Sequence, residues 1–516
     1  MKIATVRQMA AIDAAAEAQH RPDCDLIELA GSILAEEIEK ELSPDSGRVV
    51  VYCGPGKNGA DGFSCAARLT EAGYDVLCVT PGGVERQSER CRGFMEEFLG
   101  LEGRVFETVD LTDPVPALVV DAMFGTGLSR DLGDEYLDAV DQINASEVPV
   151  LAVDLPSGLE ANSGHSLPRS VKAHKTITFT LLKAAHLLAH ELCGEVSLRS
   201  IGIPDDIVEA EGPYVKSFDQ AEAKKLLPKR PANSHKGNYG KTLLLCGGRG
   251  YSGAACLASR AAVRAGAGIV TAAVPNCVYP ICAAASLEAI TLPLEDTLDG
   301  GIALSALQDP RFKGALAGAD AIGTGSGLLP VPAAKLALKA FLESGKKLVI
   351  DAGMLNFLGV GYKSDGSSYI CMDGLPLHRG VVLTPHLGEL SRVLVRTDLA
   401  EQNPLTLALE VAKMADAVLV LKGNRTVVAA PDGRVYINTT GNPGMARGGS
   451  GDVLAGTIAS LAARMGAFEA AALGVYLHGA AGDLAASRMG ENGMTPGMMA
   501  DLLAEAAQMV SKGMND

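Results

Sequence analysis

The chain has 516 residues, 47% of them hydrophobic and 21% charged, with 45 Lys and Arg against 61 Asp and Glu. That length exceeds what one hydrophobic core fills, so two or more domains are expected. A net charge of −16, 4% aromatic residues and no Trp disfavour phosphate backbones, base stacking and anionic bilayers, so nucleic acid and membrane are not expected as partners. A nucleotide-sized ligand, held by local amides or a cation, stays open.

The first twenty residues carry charge throughout and lack a signal-type apolar segment. No run approaches the roughly 18–20 apolar residues of a membrane span, so a cytoplasmic protein is expected. Residues 26–42 and 60–73 read as helices, and 48–54, 74–80, 116–122, 148–154 and 175–180 as strands. Such alternation is the pattern of a parallel sheet with helices on both faces. The 59 glycines point to many tight turns. The 11 cysteines are odd in number and scattered, with no CxxC pair, and read as buried thiols in a reducing compartment.

Residues 203–234 are polar and carry four prolines, marking a domain boundary. A second series of strands follows at 241–248, 268–275, 319–325, 346–353, 380–386, 416–423 and 425–430. Ala-rich helices follow after 451, with one at 453–466 and a last at 502–511. The fold class is therefore α/β, in two doubly wound domains.

Three loops of the first half follow strands. Residues 54–59 form a Gly/Pro turn that opens a helix, a place where amides bind an anion. Asp121 precedes Phe124-Gly125-Thr126-Gly127, and Asp154 precedes Pro156-Ser157-Gly158. Ligands of open parallel sheets bind outside the carboxyl ends of strands, where all three loops lie. Each Asp also suits a simple cap or turn. Asn58, Asp121 and Ser157 offer hard oxygens for a cation.

The second half holds the strongest motif, 439–456, in which Gly449-Ser450-Gly451-Asp452 leads into an apolar helix. Amides there can hold a transferring phosphoryl group while Asp452 accepts a hydroxyl proton. Lys422 to Thr426 lies between two strands and can wrap a phosphate or serve as a hairpin turn. His386 ends a strand, and Gly323-Thr324-Gly325 forms another glycine turn.

Residues 5–212 resemble the YjeF N-terminal family, the NAD(P)H-hydrate epimerases. The stretches carrying the likeness are Leu26–Gly31, Asn58–Gly62, Asp121–Leu128 and Asp154–Gly158. The resemblance implies a Rossmann-like fold and interconversion of the R and S hydrates of NADH and NADPH. It implies dinucleotide contacts at Lys57, Asn58, Gly59, Ala60 and Asp61, and at Gly125, Thr126, Gly127, Leu128, Ser129, Arg130 and Asp131. It also implies K+ at Asn58, Asp121 and Ser157, with Asp154 as acid or base. Lys57 and Ala60 depart from the family's usual Asn and Gly, and Ala60 requires a negative φ.

Residues 225–516 resemble the YjeF C-terminal family, ribokinase-like NAD(P)H-hydrate dehydratases. The likeness runs through Ser234–Gly237, Ala265–Gly268, Gly323–Gly325, Asp351–Gly353, Thr384–Glu389, Lys422-Gly423 with Thr426, and Asn442–Asp452. It implies adenine-nucleotide contacts at Lys422, Gly423, Asn424, Arg425, Thr426 and Gly451, and hydrate contacts at Gly325, His386 and Asp452. Asp452 is the implied general base, ADP with Mg2+ the implied phosphoryl donor, and AMP and phosphate the products. Asp351 and Glu389 are candidate Mg2+ ligands beside the alternative of an ion held by substrate and water. Arg447 replaces the family's usual Thr and either contacts the donor phosphates or faces solvent. Domains are expected at 1–212 and 232–516 with a linker at 213–231, in a homo-oligomer. The competing readings are a small-molecule kinase with an accessory domain, and a non-catalytic dinucleotide binder.

Overall fold

The computed structural model describes every residue except 19–24, 213–214, 400–401 and 513–516. Two compact units emerge, Lys2–Tyr214 and Val215–Asp516. Both are α/β with parallel sheets, as expected from the alternation of elements. Among the described cysteines all are free thiols, buried except for the half-buried Cys256 and Cys277; Cys24 lies outside the described residues.

In the first unit seven parallel strands run in the order Arg104–Phe106, Val76–Val79, Val49–Cys53, Leu118–Ala122, Val150–Val153, Lys175–Phe179 and Glu195–Arg199. The Val49–Cys53 strand is buried along its length because helices cover both faces, so its residues are apolar without alternation. Strand order reverses between it and Leu118–Ala122, where Cys53 pairs with Ala122. A crevice at the carboxyl ends of these two strands is the expected ligand position. Helix Lys57–Glu71 starts at Lys57, three residues earlier than the apolar pattern suggests, with Gly56 as its cap. Ala60 therefore lies inside a helix and meets the negative-φ condition.

In the second unit the strands run Ile290–Leu294, Ile269–Pro275, Lys241–Leu245, Ala321–Thr324, Lys347–Ile350, Val381–Leu383 and Val418–Leu421, all parallel. Val427–Ala429 and Val435–Ile437 extend the sheet antiparallel. The reversal lies between Lys241–Leu245 and Ala321–Thr324. Helices Ser252–Arg264 and Ser450–Ala462 cover this region through small residues; a Cβ on Gly456 would fall 2.1 Å from Ala258 O. The stretch expected as a linker belongs, from Val215 on, to this unit. Lys216 pairs with Tyr436, and helix Gln220–Leu226 buries Ala223 in the core.

Candidate active sites

A cavity of about 510 Å³ opens at the strand-order reversal of the first unit. Its wall includes Lys57, Asn58, Asp61, Gly125, Thr126, Gly127, Leu128 and Asp154. Ser129, Arg130 and Asp131 are not part of that wall, and Gly59 and Ala60 are buried in the helix behind it.

Asp154 takes a left-handed backbone, φ 64°, which a non-glycine residue holds only when its surroundings impose it. They do. Lys183 Nζ donates to its Oδ1 at 2.6 Å, Thr178 Oγ1 donates to the same oxygen at 2.9 Å, and the Thr126 amide donates to Oδ2 at 3.2 Å. His186 Nδ1 accepts the Lys183 amide at 2.9 Å, so Nε2 carries the hydrogen and donates to Asp154 O at 2.7 Å. Burial pushes the Asp154 carboxyl up, but the Lys183 ammonium, His186 and the Thr178 hydroxyl outweigh it, leaving it below the usual carboxylate value. Burial pushes His186 down to about 4, so the imidazole is neutral.

Asp121 and Ser157 sit fully buried beside this cavity. The Ser157 amide and hydroxyl donate to the two Asp121 oxygens at 2.7 and 2.5 Å, and the Ser157 hydroxyl accepts the Phe124 amide at 2.9 Å. Burial raises the Asp121 carboxyl to about 6. A Cβ on Gly125 would lie 2.8 Å from Asp154 Oδ2 and 3.2 Å from Asn58 Oδ1, so the three loops converge. The Asn58 Nδ2 is buried without a hydrogen-bond partner among the described residues. Lys57 pairs with Glu17 at 2.7 Å.

In the second unit four strand ends and two helix starts meet. Asp351, 2% exposed, accepts Thr384 Oγ1 at 2.7 Å and Lys422 Nζ at 3.1 Å on its Oδ1. Glu389 Oε2 accepts the His386 amide at 2.9 Å and lies 3.5 Å from Lys422 Nζ. Both acids named as candidate Mg2+ ligands are thus engaged by one ammonium. His386 uses its Nδ1 to accept the Gly388 amide at 3.0 Å, so it caps helix Leu387–Leu394 while its ring stays exposed.

Helix Ser450–Ala462 begins two residues before Asp452, since Gly449 supplies a left-handed cap with φ 104°. Asp452 therefore stands in its first turn. Burial, then the Asp351 charge, raises the Asp452 carboxyl to about 6, with a hydrogen bond from Ser326 and the Lys422 charge opposing. A Cβ on Gly451 would lie 3.6 Å from Lys422 Nζ and 3.9 Å from Asp351 Oδ2, so helix amides and an ammonium face one small space. Gly325, φ 118°, takes its turn against the Asp351 backbone. Gly423 and Asn424 are exposed, the Thr426 hydroxyl bonds Gly423 O at 3.3 Å, and Arg425 donates to Thr439 O at 2.8 Å. Asp483 holds the glycine loop through the Gly441 amide at 2.9 Å and Asn442 Nδ2 at 3.0 Å. Arg447 donates to Asn492 O at 2.5 Å and Glu491 O at 3.3 Å, so it ties down the end of a helix.

Lys183, Thr178, His186 and Asp13 escaped the sequence reading. Lys183 carried one signal: a lone charge within apolar residues just past a strand.

Two doubly wound units, one with a cavity of about 510 Å³ at its switch point and one with an acid in a helix first turn beside a lysine ammonium, define a two-site α/β enzyme. Residues 242–506 match the NAD(P)H-hydrate dehydratase family model, and 23–185 the model of the YjeF-related protein N-terminus. The bifunctional NAD(P)H-hydrate repair enzyme Nnr of Moorella thermoacetica is 37% identical, covering 98% of this chain and 96% of its own. That of Thermofilum pendens is 36% identical over 98% and 96%. The chain belongs to the family of bifunctional NAD(P)H-hydrate repair enzymes. The Bacillus subtilis ADP/ATP-dependent NAD(P)H-hydrate dehydratase co-crystallised with ATP/Mg2+ is 29% identical, covering 57% of this chain and 99% of that one, at a TM-score of 0.47. Among the described residues no helix is long and apolar enough to cross a membrane.

Proposed function

We propose that the first unit interconverts the R and S hydrates of NADH and NADPH, and that the second dehydrates the S form with ADP, releasing AMP and phosphate. The carrying observation is the pair of acids with opposed environments: Asp154, locked and ionised by Lys183, and Asp452, raised to about 6 at a helix N-terminus. The epimerase activity is assigned to the unit expected at 1–212, and the dehydratase activity to the unit expected at 232–516, which also takes in the segment from Val215.

In the epimerase, Asp154 transfers a proton beside the hydrated ring as its configuration inverts, while Asn58 and the Gly125–Leu128 loop bind phosphate. The free Asn58 Nδ2 donor and the open approach to Gly127 suit that role. Asn58, Asp121 and Ser157 would hold K+; their donors are hard oxygens that fit such an ion, which supplies a fixed positive charge when bound. In the dehydratase, Asp452 removes the ring hydroxyl proton as the phosphoryl group passes to that oxygen, with the Gly451 amide and Lys422 facing the developing charge. Loss of phosphate with a ring proton then gives NAD(P)H. Gly325 and His386 contact the hydrate, and Gly423, Asn424, Arg425 and Thr426 flank the adenine nucleotide. Mg2+ would be held by the nucleotide phosphates and water rather than by Asp351 and Glu389, which Lys422 engages, and would supply positive charge against the phosphates. The protein works in the cytoplasm as a homo-oligomer.

The test starts from mixed-epimer NADH hydrate with K+, Mg2+ and ADP, following absorbance of NADH. Full recovery, faster than spontaneous epimerisation, is expected. Recovery that stops at the S fraction removes the epimerase assignment, and none with ADP or ATP removes the dehydratase assignment.

A further inference from the structure

Asp61 is an acid in the first cavity with no structural task. It sits on helix Lys57–Glu71 and lines the same cavity as Asp13 and Asp154. Its neighbour Gly62 seats the helix directly on the sheet; a Cβ there would be 2.7 Å from Ala122 Cβ. Among the described residues, neither the Asp61 nor the Asp13 carboxyl makes a hydrogen bond or ion pair. Burial, then the Asp154 and Asp13 charges, push Asp61 well above the usual carboxylate range, with Lys57 opposing and Asp25 adding. Glu17, Arg90 and Lys183 complete the charged wall; Glu17 is taken by Lys57, Arg90 by Asp25 and Lys183 by Asp154. Burial raises Asp13 as well, but there the Lys57 and Lys183 charges oppose it. One cavity thus holds a carboxyl pushed well above the usual carboxylate range beside one held below it, the arrangement that separates acid from base.

We propose that Asp61 is the general acid of the epimerase, paired with Asp154 as the base across the hydrated ring; this rests on the assignment of epimerisation to this unit. The hydrate carries its hydroxyl on the carbon beside the ring nitrogen. Asp61 gives its proton to that oxygen as the C–O bond breaks, and the bonding pair leaves with water. The nitrogen lone pair forms a C=N bond, giving a cationic ring that faces two carboxylates. Water then adds to the opposite face. Its oxygen lone pair forms the new C–O bond, the C=N π pair returns to nitrogen, and Asp154 takes the proton released. The product is the other epimer, and exchange with solvent moves one proton from Asp154 back to Asp61.

Pure R-NADPH hydrate, incubated with the full chain and K+ but no ADP, isolates this step, with the epimers separated by chromatography. The wild type should give a bell-shaped pH profile, its alkaline limb set by loss of the Asp61 proton. Asp61→Asn should lower kcat by about 10²-fold or more, leave KM within about twofold and erase that limb, while Asp61→Glu restores part of the rate. Asp13→Asn should keep the limb. Retained kcat and limb in Asp61→Asn, or a raised KM with the limb intact, overturns the proposal. If that variant does not fold, a wild-type profile without an alkaline limb overturns it. A wild type no faster than buffer at any pH instead refutes the epimerase assignment itself.

Discussion

Lys183 Nζ lies 2.6 Å from Asp154 Oδ1, and the Lys183 side chain is 2% exposed. A charge so buried is tolerated only with its partner in place. The pair both holds the left-handed Asp154 backbone region and keeps its carboxylate ionised.

Lys183→Met should destabilise the first unit by about 3–5 kcal/mol, because it strands a buried carboxylate. Epimerisation of R-NADPH hydrate should fall with it. The linkage has a definite sign. A carboxyl held below its ordinary value stabilises the fold above that value, and this contribution is lost as pH falls through the lowered one. Thermal melts across acid pH should show wild type and variant converging at low pH. Equal stability at neutral pH would contradict the pairing.

Asp452 lies at about 6 rather than near its ordinary value. Dehydration should therefore decline as pH drops through about 6, when the base is protonated. Asp452→Asn should cost about 10²–10⁴-fold in kcat. It should also melt higher at pH 7, since ionising the buried acid opposes folding above its folded-state value, and that advantage should fade toward pH 4. NADH absorbance recovery and melting curves check both.

Gly451→Ala separates fold from ligand. The position is helical, where Ala is favoured over Gly by up to about 1 kcal/mol. Its methyl would enter the space 3.6 Å from Lys422 Nζ. Stability should hold or rise while the KM for ADP rises about tenfold or more, the loss of one phosphate contact. An unchanged KM would show that no nucleotide phosphate sits there.

Gly456→Ala is the structural counterpart. Its Cβ would meet Ala258 O at 2.1 Å, which forces two packed helices apart. A destabilisation of about 1–3 kcal/mol is expected in denaturant melts, with epimerisation unaffected.

Much of this was legible in the residues. Val49–Cys53 and Lys241–Leu245 announce themselves as buried strands, and the loops after them carry glycines and acids where parallel sheets bind ligands. Element boundaries were less so: Gly56 and Gly449 start their helices earlier than the apolar period indicates, because a cap is a backbone event. Arg447, ambiguous as a sequence letter, turns out to hold carbonyls at a helix end.

By itself the sequence determined the two α/β units and their parallel sheets, because periodicity and glycine placement are local properties. Only the tertiary structure decided the partners. Lys183 reaches Asp154 across 29 residues, and Lys422 reaches Asp351 across 71. Which carboxyl in a cavity is ionised depends on burial and on such long-range neighbours, and no local pattern encodes either.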